Sequence, residues 1–148
     1  MDNYLALGGL IRERLRPLTE QWPTLSVLSA RDLVGVRLAE ERLPAVHVLY
    51  MGDRMRDEIA HHGRLQVVDQ VWGIIVSHRD LRDTSEAIDS VGGMISAVLA
   101  QLQGWQPPGV NADGTLRRVQ APDPMYQNGV LRVPLYFQAR ALSRGVSS

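Results

Sequence analysis

Residues Leu65–Arg79 (LQVVDQVWGIIVSHR) constrain the fold more than any other stretch of this chain. In an extended backbone successive side chains alternate in direction. Val68, Trp72, Ile74 and Val76 then point to one face, and Val67, Val71 and Ile75 to the other. A strand that is apolar on both sides belongs inside a sheet, and this one far exceeds the average strand of about 5–6 residues. Gly73 interrupts the pattern and marks a bend or a close approach.

The flanking sequence supplies partners for such a strand. Residues 45–51 (AVHVLYM), bounded by Pro44 and Gly52, read as a second central strand. Residues 52–63 (GDRMRDEIAHHG) are polar and predict a loop with at most one helical turn. Near the N-terminus, Leu7, Ile11, Leu15 and Leu18 recur at helical spacing over residues 4 to about 19, with Asp2 or Asn3 as cap and Pro17 disturbing the end. A short strand at 25–28 follows, and then a capping-box start (Ser29 to Asp32) opens a brief helix to about Glu41. Asp83-Thr84-Ser85-Glu86 begins the longest helix, with Ile88, Val91, Ile95, Val98, Leu99 and Leu102 on its stripe and Gly104 and Pro107 ending it. Its Gly92-Gly93 pair marks either a packed backbone or local fraying. Trp105 is placed to staple the helix end to the sheet.

After a Pro/Gly loop at 106–114, Asn128-Gly129 signals a type I′ hairpin between strands 115–127 and 130–142. On the second, Leu131, Val133, Leu135, Phe137, Ala139 and Ala141 share one face, and Arg132, Tyr136, Gln138 and Arg140 the other. Pro122 and Pro124 restrict 115–127 to a sheet edge, whereas Pro134 falls at a hydrogen-bonded site and predicts a bulge or break. Residues 1–148 thus form a single α+β domain. Its sheet is mostly antiparallel, with four to five strands and two main helices packed on one face. Ser143 to Ser148 form a flexible tail. The long strands must pair outside the local sheet, twist into solvent or meet another subunit.

Composition narrows the function. Sixteen basic residues balance sixteen acidic ones, so no excess of positive charge recommends a nucleic-acid binder. All the basic residues are arginine; with no lysine there is no P-loop, Schiff base or Ser-Lys dyad. With no cysteine there is no disulfide, thiol nucleophile or Cys-based zinc site. No apolar run approaches the ~18 residues of a membrane span, and the N-terminal residues are too short and mixed for a signal peptide. The serines lack a GxSxG setting and the glycine pairs lack GxGxxG spacing. Asp57, His61 and His62 offer a metal-dependent hydrolase as an alternative, with Asp57 and His61 on one face if their segment is helical. No third convergent ligand accompanies them. No catalytic residue, metal or cofactor is therefore assigned, and a small oligomeric binding module remains open.

The order of patterns carries a family resemblance. A helical N-terminus is followed by PAVHVLYMGD, by VVDQVWGIIVSHRDLRD running into TSEAIDSVGGMISAVLAQLQGW, and by the closing strand GVLRVPLYFQARAL. Over about residues 4–142 this resembles the tail terminator proteins of long-tailed bacteriophages and Mu-like prophages. The resemblance implies a structural virion protein at the head-proximal end of the tail, assembled in the host cytoplasm. It implies a hexameric ring of identical copies that caps the tail tube, ends its polymerisation and presents a joining surface to the head-tail connector or neck protein. Self, tube protein and connector are then the partners, with no membrane and no specific nucleic acid.

Under that resemblance the charged residues become interface candidates. Arg54, Arg56, Asp57 and Glu58 lie in the expected loop, to be ordered by a neighbour. Arg79, Asp80, Arg82 and Asp83 crowd a strand-to-helix junction suited to subunit contacts. Arg132, Gln138 and Arg140 face a neighbour or the lumen.

Overall fold

A computed structural model describes residues 3–29, 42–60, 62–79, 85–108 and 112–146. Apart from Ser29, which ends the first strand, the helix predicted at 29–41 lies outside these. The N-terminal stripe forms α1 (Leu7–Leu15) and the single turn α2 (Leu18–Gln21), separated at Pro17 as its ring requires. Asn3 caps not the helix but the turn before it, accepting from the Leu5 amide at 3.0 Å. The strands are β1 (Ser26–Ser29), β2 (Ala45–Ala60), β3 (Leu65–Arg79), β4 (Ala112–Val119), β5 (Met125–Gln127) and β6 (Val130–Arg144), with α3 (Ser85–Leu102) between β3 and β4.

These make one six-stranded sheet in the order β1-β2-β3-β6-β4, with β5 also beside β6. The strand count exceeds the expected four to five because the hairpin partner of β6 divides in two. β1 runs parallel to β2, and every other pairing is antiparallel. As its two apolar faces required, β3 lies at the centre. Val46, Val48, Trp72, Ile74, Val76, Leu135, Phe137 and Ala139 share the face covered by Leu7, Ile11 and Leu15 of α1, Leu18 of α2, and Met94, Val98 and Leu102 of α3. Each such side chain fully withdrawn from water contributes about 1.5–3 kcal/mol before chain entropy is counted. Ile88, expected on the buried stripe of α3, is exposed, because it lies on the turn preceding Val91, where the helix first meets the core.

The largest correction concerns 52–63. Instead of a loop, residues 52–60 continue β2, paired with β3 as far as Ala60 opposite Leu65. β3 supplies the reason. Its backbone donors and acceptors run the full length of the strand and need partners, so a polar segment is drawn into the ladder against its composition. Irregularities between Tyr50 and Gly52 and between Met55 and Ile59 absorb the residues that break alternation. On its other side β3 pairs without interruption with β6, from Leu65 opposite Arg144 to Arg79 opposite Val130. β3 is therefore paired along its length on both sides, while the outer side of β2 beyond Val48 has no partner among the described strands. The chain from Ser143, expected as a flexible tail, stays in β6 through Arg144, and the Gly145 amide donates to the Arg64 carbonyl at 2.7 Å.

Around the hairpin the proline reasoning holds. Asn128 and Gly129 both have positive φ (54° and 76°), as a type I′ turn demands. β5 pairs with β6 as far as Arg132, and β4 resumes opposite Tyr136, so residues 120–124 bow outward across 133–135. Pro134 has no N–H to offer at that break, and Pro122 and Pro124 lie in the bowed segment. The loop expected at 106–114 ends early, since β4 begins at Ala112.

Candidate assembly surface

Two side-chain systems distinguish the sheet beyond its core. The first joins the N-terminal turn to the far half of β2 and β3. The Trp72 indole N–H donates to Gln70 Oε1 at 2.8 Å, and Gln70 Nε2 donates to the Tyr4 carbonyl at 2.8 Å. The Tyr4 and Tyr50 hydroxyls donate to the two oxygens of Asp53, each at 2.7 Å. The Tyr50 and Trp72 rings meet at 5.4 Å between centroids. Burial, with the Asp53 carboxylate beside it, lifts the Tyr4 phenol far above its ordinary range, and the same causes push Tyr50 up to about 12. A buried tryptophan needs a partner for its N–H. Gln70, two residues away and so on the same side of the strand, was the one legible sign of this network.

The second system lies on the sheet face opposite the helices. Arg54, Asp69 and Arg140 occupy one row across β2, β3 and β6, alternating in charge. Arg56 shares the Asp69 carboxylate, Nη1 to Oδ1 at 3.3 Å. Further along, Arg132 Nη1 donates to the buried Ser77 hydroxyl at 2.8 Å.

The candidate residues are therefore not gathered in one place. Arg54, Arg56, Asp57 and Glu58 stand on β2 and not in a loop that awaits a neighbour. Arg54 and Asp57 are exposed, while Arg56 is half-buried against Asp69. Arg79 is exposed at the end of β3, and Asp80, Arg82 and Asp83 fall outside the described residues. On β6, Arg140 is exposed, Arg132 is half-buried and Gln138 is buried between Val71 and Arg117. The helical turn that would align Asp57 with His61 does not form, since β2 runs through Ala60; His61 itself is outside the described residues. His62 is exposed in the turn that follows. Among the described residues no three His, Asp or Glu side chains form a metal-holding group, and no helix is long and apolar enough to cross a membrane.

The predicted staple at Trp105 is made by the backbone as well as the ring. Gly104 N–H donates to the Leu116 carbonyl at 2.9 Å, and Leu116 N–H to the Trp105 carbonyl at 2.8 Å. These bonds occupy the outward-facing groups at the centre of β4, an edge strand whose free groups would otherwise invite another chain. Arg14 adds a second tie, its guanidinium 5.2 Å from the Trp105 ring and its Nε donating to the Gln101 carbonyl at 3.0 Å.

The α+β order and the long central strands agree with a sequence match. Residues 1–145 match the family described as "Phage tail terminator protein". The chain belongs to the phage tail terminator family. It is accordingly a structural phage tail protein, a component of the virion. No curated protein matches it. Among solved structures 21 chains match. One of them, from "Virion of native gene transfer agent (GTA) particle", is 19% identical, with 93% of this chain and 95% of that chain covered and a TM-score of 0.57. At that identity the likeness establishes a shared fold.

Proposed function

We propose that copies of this protein close into a hexameric ring on the head-proximal end of the tail tube. The ring halts addition of tube subunits and offers its outer side to the head-tail connector or neck protein. The family match over residues 1–145 carries this reading. A tube end is an unsatisfied binding surface, so a terminator fits it on one side and presents something different on the other, which a ring of identically oriented copies provides. The row of Arg54, Asp69 and Arg140 suits such a role, because arginine forks and carboxylates give register and specificity at a protein contact. Arg79, Arg82, Asp80 and Asp83 contact a neighbouring copy, and Arg140 faces a neighbour or the lumen.

The test is to add the purified protein to tube subunits that are polymerising. Negative-stain images should show tubes with a ring at one end that cease to lengthen, and native mass spectrometry should give the mass of a hexamer. Tubes that lengthen at an unchanged rate, with no density at either end, would refute the proposal.

A further inference from the structure

Among the described residues the sheet is shut along the middle of one edge and open along two stretches at diagonally opposite corners. On the β2 side, β1 covers only residues 45–48, and no described strand lies beside residues 49–60. Exposed apolar side chains stand on that stretch: Met55 is 68% exposed and Met51 43%, with Tyr50 also exposed. On the other side β4 is closed at Leu116 by Gly104 and Trp105. β5 is different. Among the described strands it pairs with β6 alone, and it presents Met125 (56% exposed) and Tyr126.

Within one copy these stretches cannot meet. β6 and β3 separate β5 from β2, and β5 sits beside residues 130–132 of β6 whereas residues 49–60 of β2 lie towards the other end. Their charges are complementary. Arg54 precedes Met55, and Asp123 lies two residues before Met125; both are exposed and neither makes an ion pair among the described residues.

We infer that β5 of one copy docks along the open stretch of β2 in the next, with Met125 and Tyr126 against Met51 and Met55 and with Asp123 reaching Arg54. The inference rests on the ring reading and names the partner of this surface as a second copy of the chain. Two different patches meet, so the contact is heterologous and repeats around the assembly until it closes. Exposed apolar side chains at a strand edge supply the affinity, and the Arg54–Asp123 pair fixes the register.

The chain contains no cysteine, so new ones report cleanly. Met55→Cys and Met125→Cys change exposed side chains and leave the core intact. Under mild oxidation the double variant should give a covalent ladder from dimer up to the closed ring on a non-reducing gel. Each single variant should stay monomeric there, and a mixture of the two single variants should stop at dimers. Arg54→Asp and Asp123→Arg should each weaken assembly by about tenfold, and combining them should restore it. Closed rings without a cross-link, or single variants that cross-link to themselves, overturn this interface and leave the ring reading standing. Covalent chains that never close support the interface and overturn the ring. Monomers without cross-link at every concentration, with tube ends present, overturn both. Cross-linking of the double variant to another virion protein in place of itself also overturns the inference.

Discussion

The ring of Trp72 lies against the backbone of Gly8, so close that a Cβ there would fall 2.7 Å from two of its ring carbons. Helix α1 can approach the sheet at this point only because that position carries no side chain. Gly8→Ala should destabilise the fold by about 1–3 kcal/mol, the usual cost of overfilling a packed core, less the ~1 kcal/mol that alanine contributes to helix propensity. Gly92→Ala should do the opposite. Nothing lies within 4 Å of a Cβ there, so propensity acts alone and stability rises by about 0.5–1 kcal/mol. Urea denaturation of the two variants beside the parent decides it: equal signs would refute the packing argument.

The Asp53 clamp predicts a specific alkaline behaviour. Tyr50 holds its proton up to about 12 in the folded chain against an ordinary value of 10, and Tyr4 is shifted in the same direction. A folded state that holds protons more tightly than the unfolded one is favoured below the unfolded value. That stabilisation is complete below pH 10 and is lost as pH rises towards about 12. Phenolate absorbance should therefore show Tyr4 and Tyr50 titrating late. In Asp53→Ala both should return part of the way, burial being the cause that remains. An unchanged titration in that variant would remove the carboxylate from the explanation.

Arg14 joins α1 to the end of α3 through the Trp105 ring and the Gln101 carbonyl. An exposed cation over a ring contributes about 0.5–1 kcal/mol, and a cation at a helix C-terminus a similar amount. Arg14→Ala should lower thermal stability by about 1–2 kcal/mol. Hydrogen exchange should quicken in the last turn of α3 and not in β3; uniform quickening would mean that Arg14 supports the whole fold.

At the end of β3, the Arg79→Glu/Arg82→Glu variant should assemble at least about tenfold more weakly while its circular dichroism and melting stay those of the parent. Sedimentation velocity across a concentration series reads this directly. Rings formed at parental concentrations would take these two residues out of the contact.

What the residue pattern disclosed, and what it concealed, follows from how local each signal is. Asn128-Gly129 announces its turn because two adjacent residues with positive φ suffice to make it. β3 announces itself by alternation on both faces, and Pro134 by the donor it lacks. Residues 52–60 carry no such signature; they are strand because β3 has groups to satisfy, and that requirement lies outside their own sequence. The glycine pairs were opaque for the same reason. Gly93 faces the Trp22 ring, with a Cβ there 3.3 Å from its Cζ2, and not the backbone that was one of the two expectations. No spacing rule joins residues so far apart. The candidate interface was legible as charge and not as placement: the row of Arg54, Asp69 and Arg140 exists only once three strands are in register.

The turn that leaves α3 through Gly104 and Trp105 also bears on storage. A β-sheet flank left bare is the usual seed of fibres when a protein accumulates. Here the helix exit seals that flank at Leu116, so chains that accumulate cannot zip together through the middle of β4.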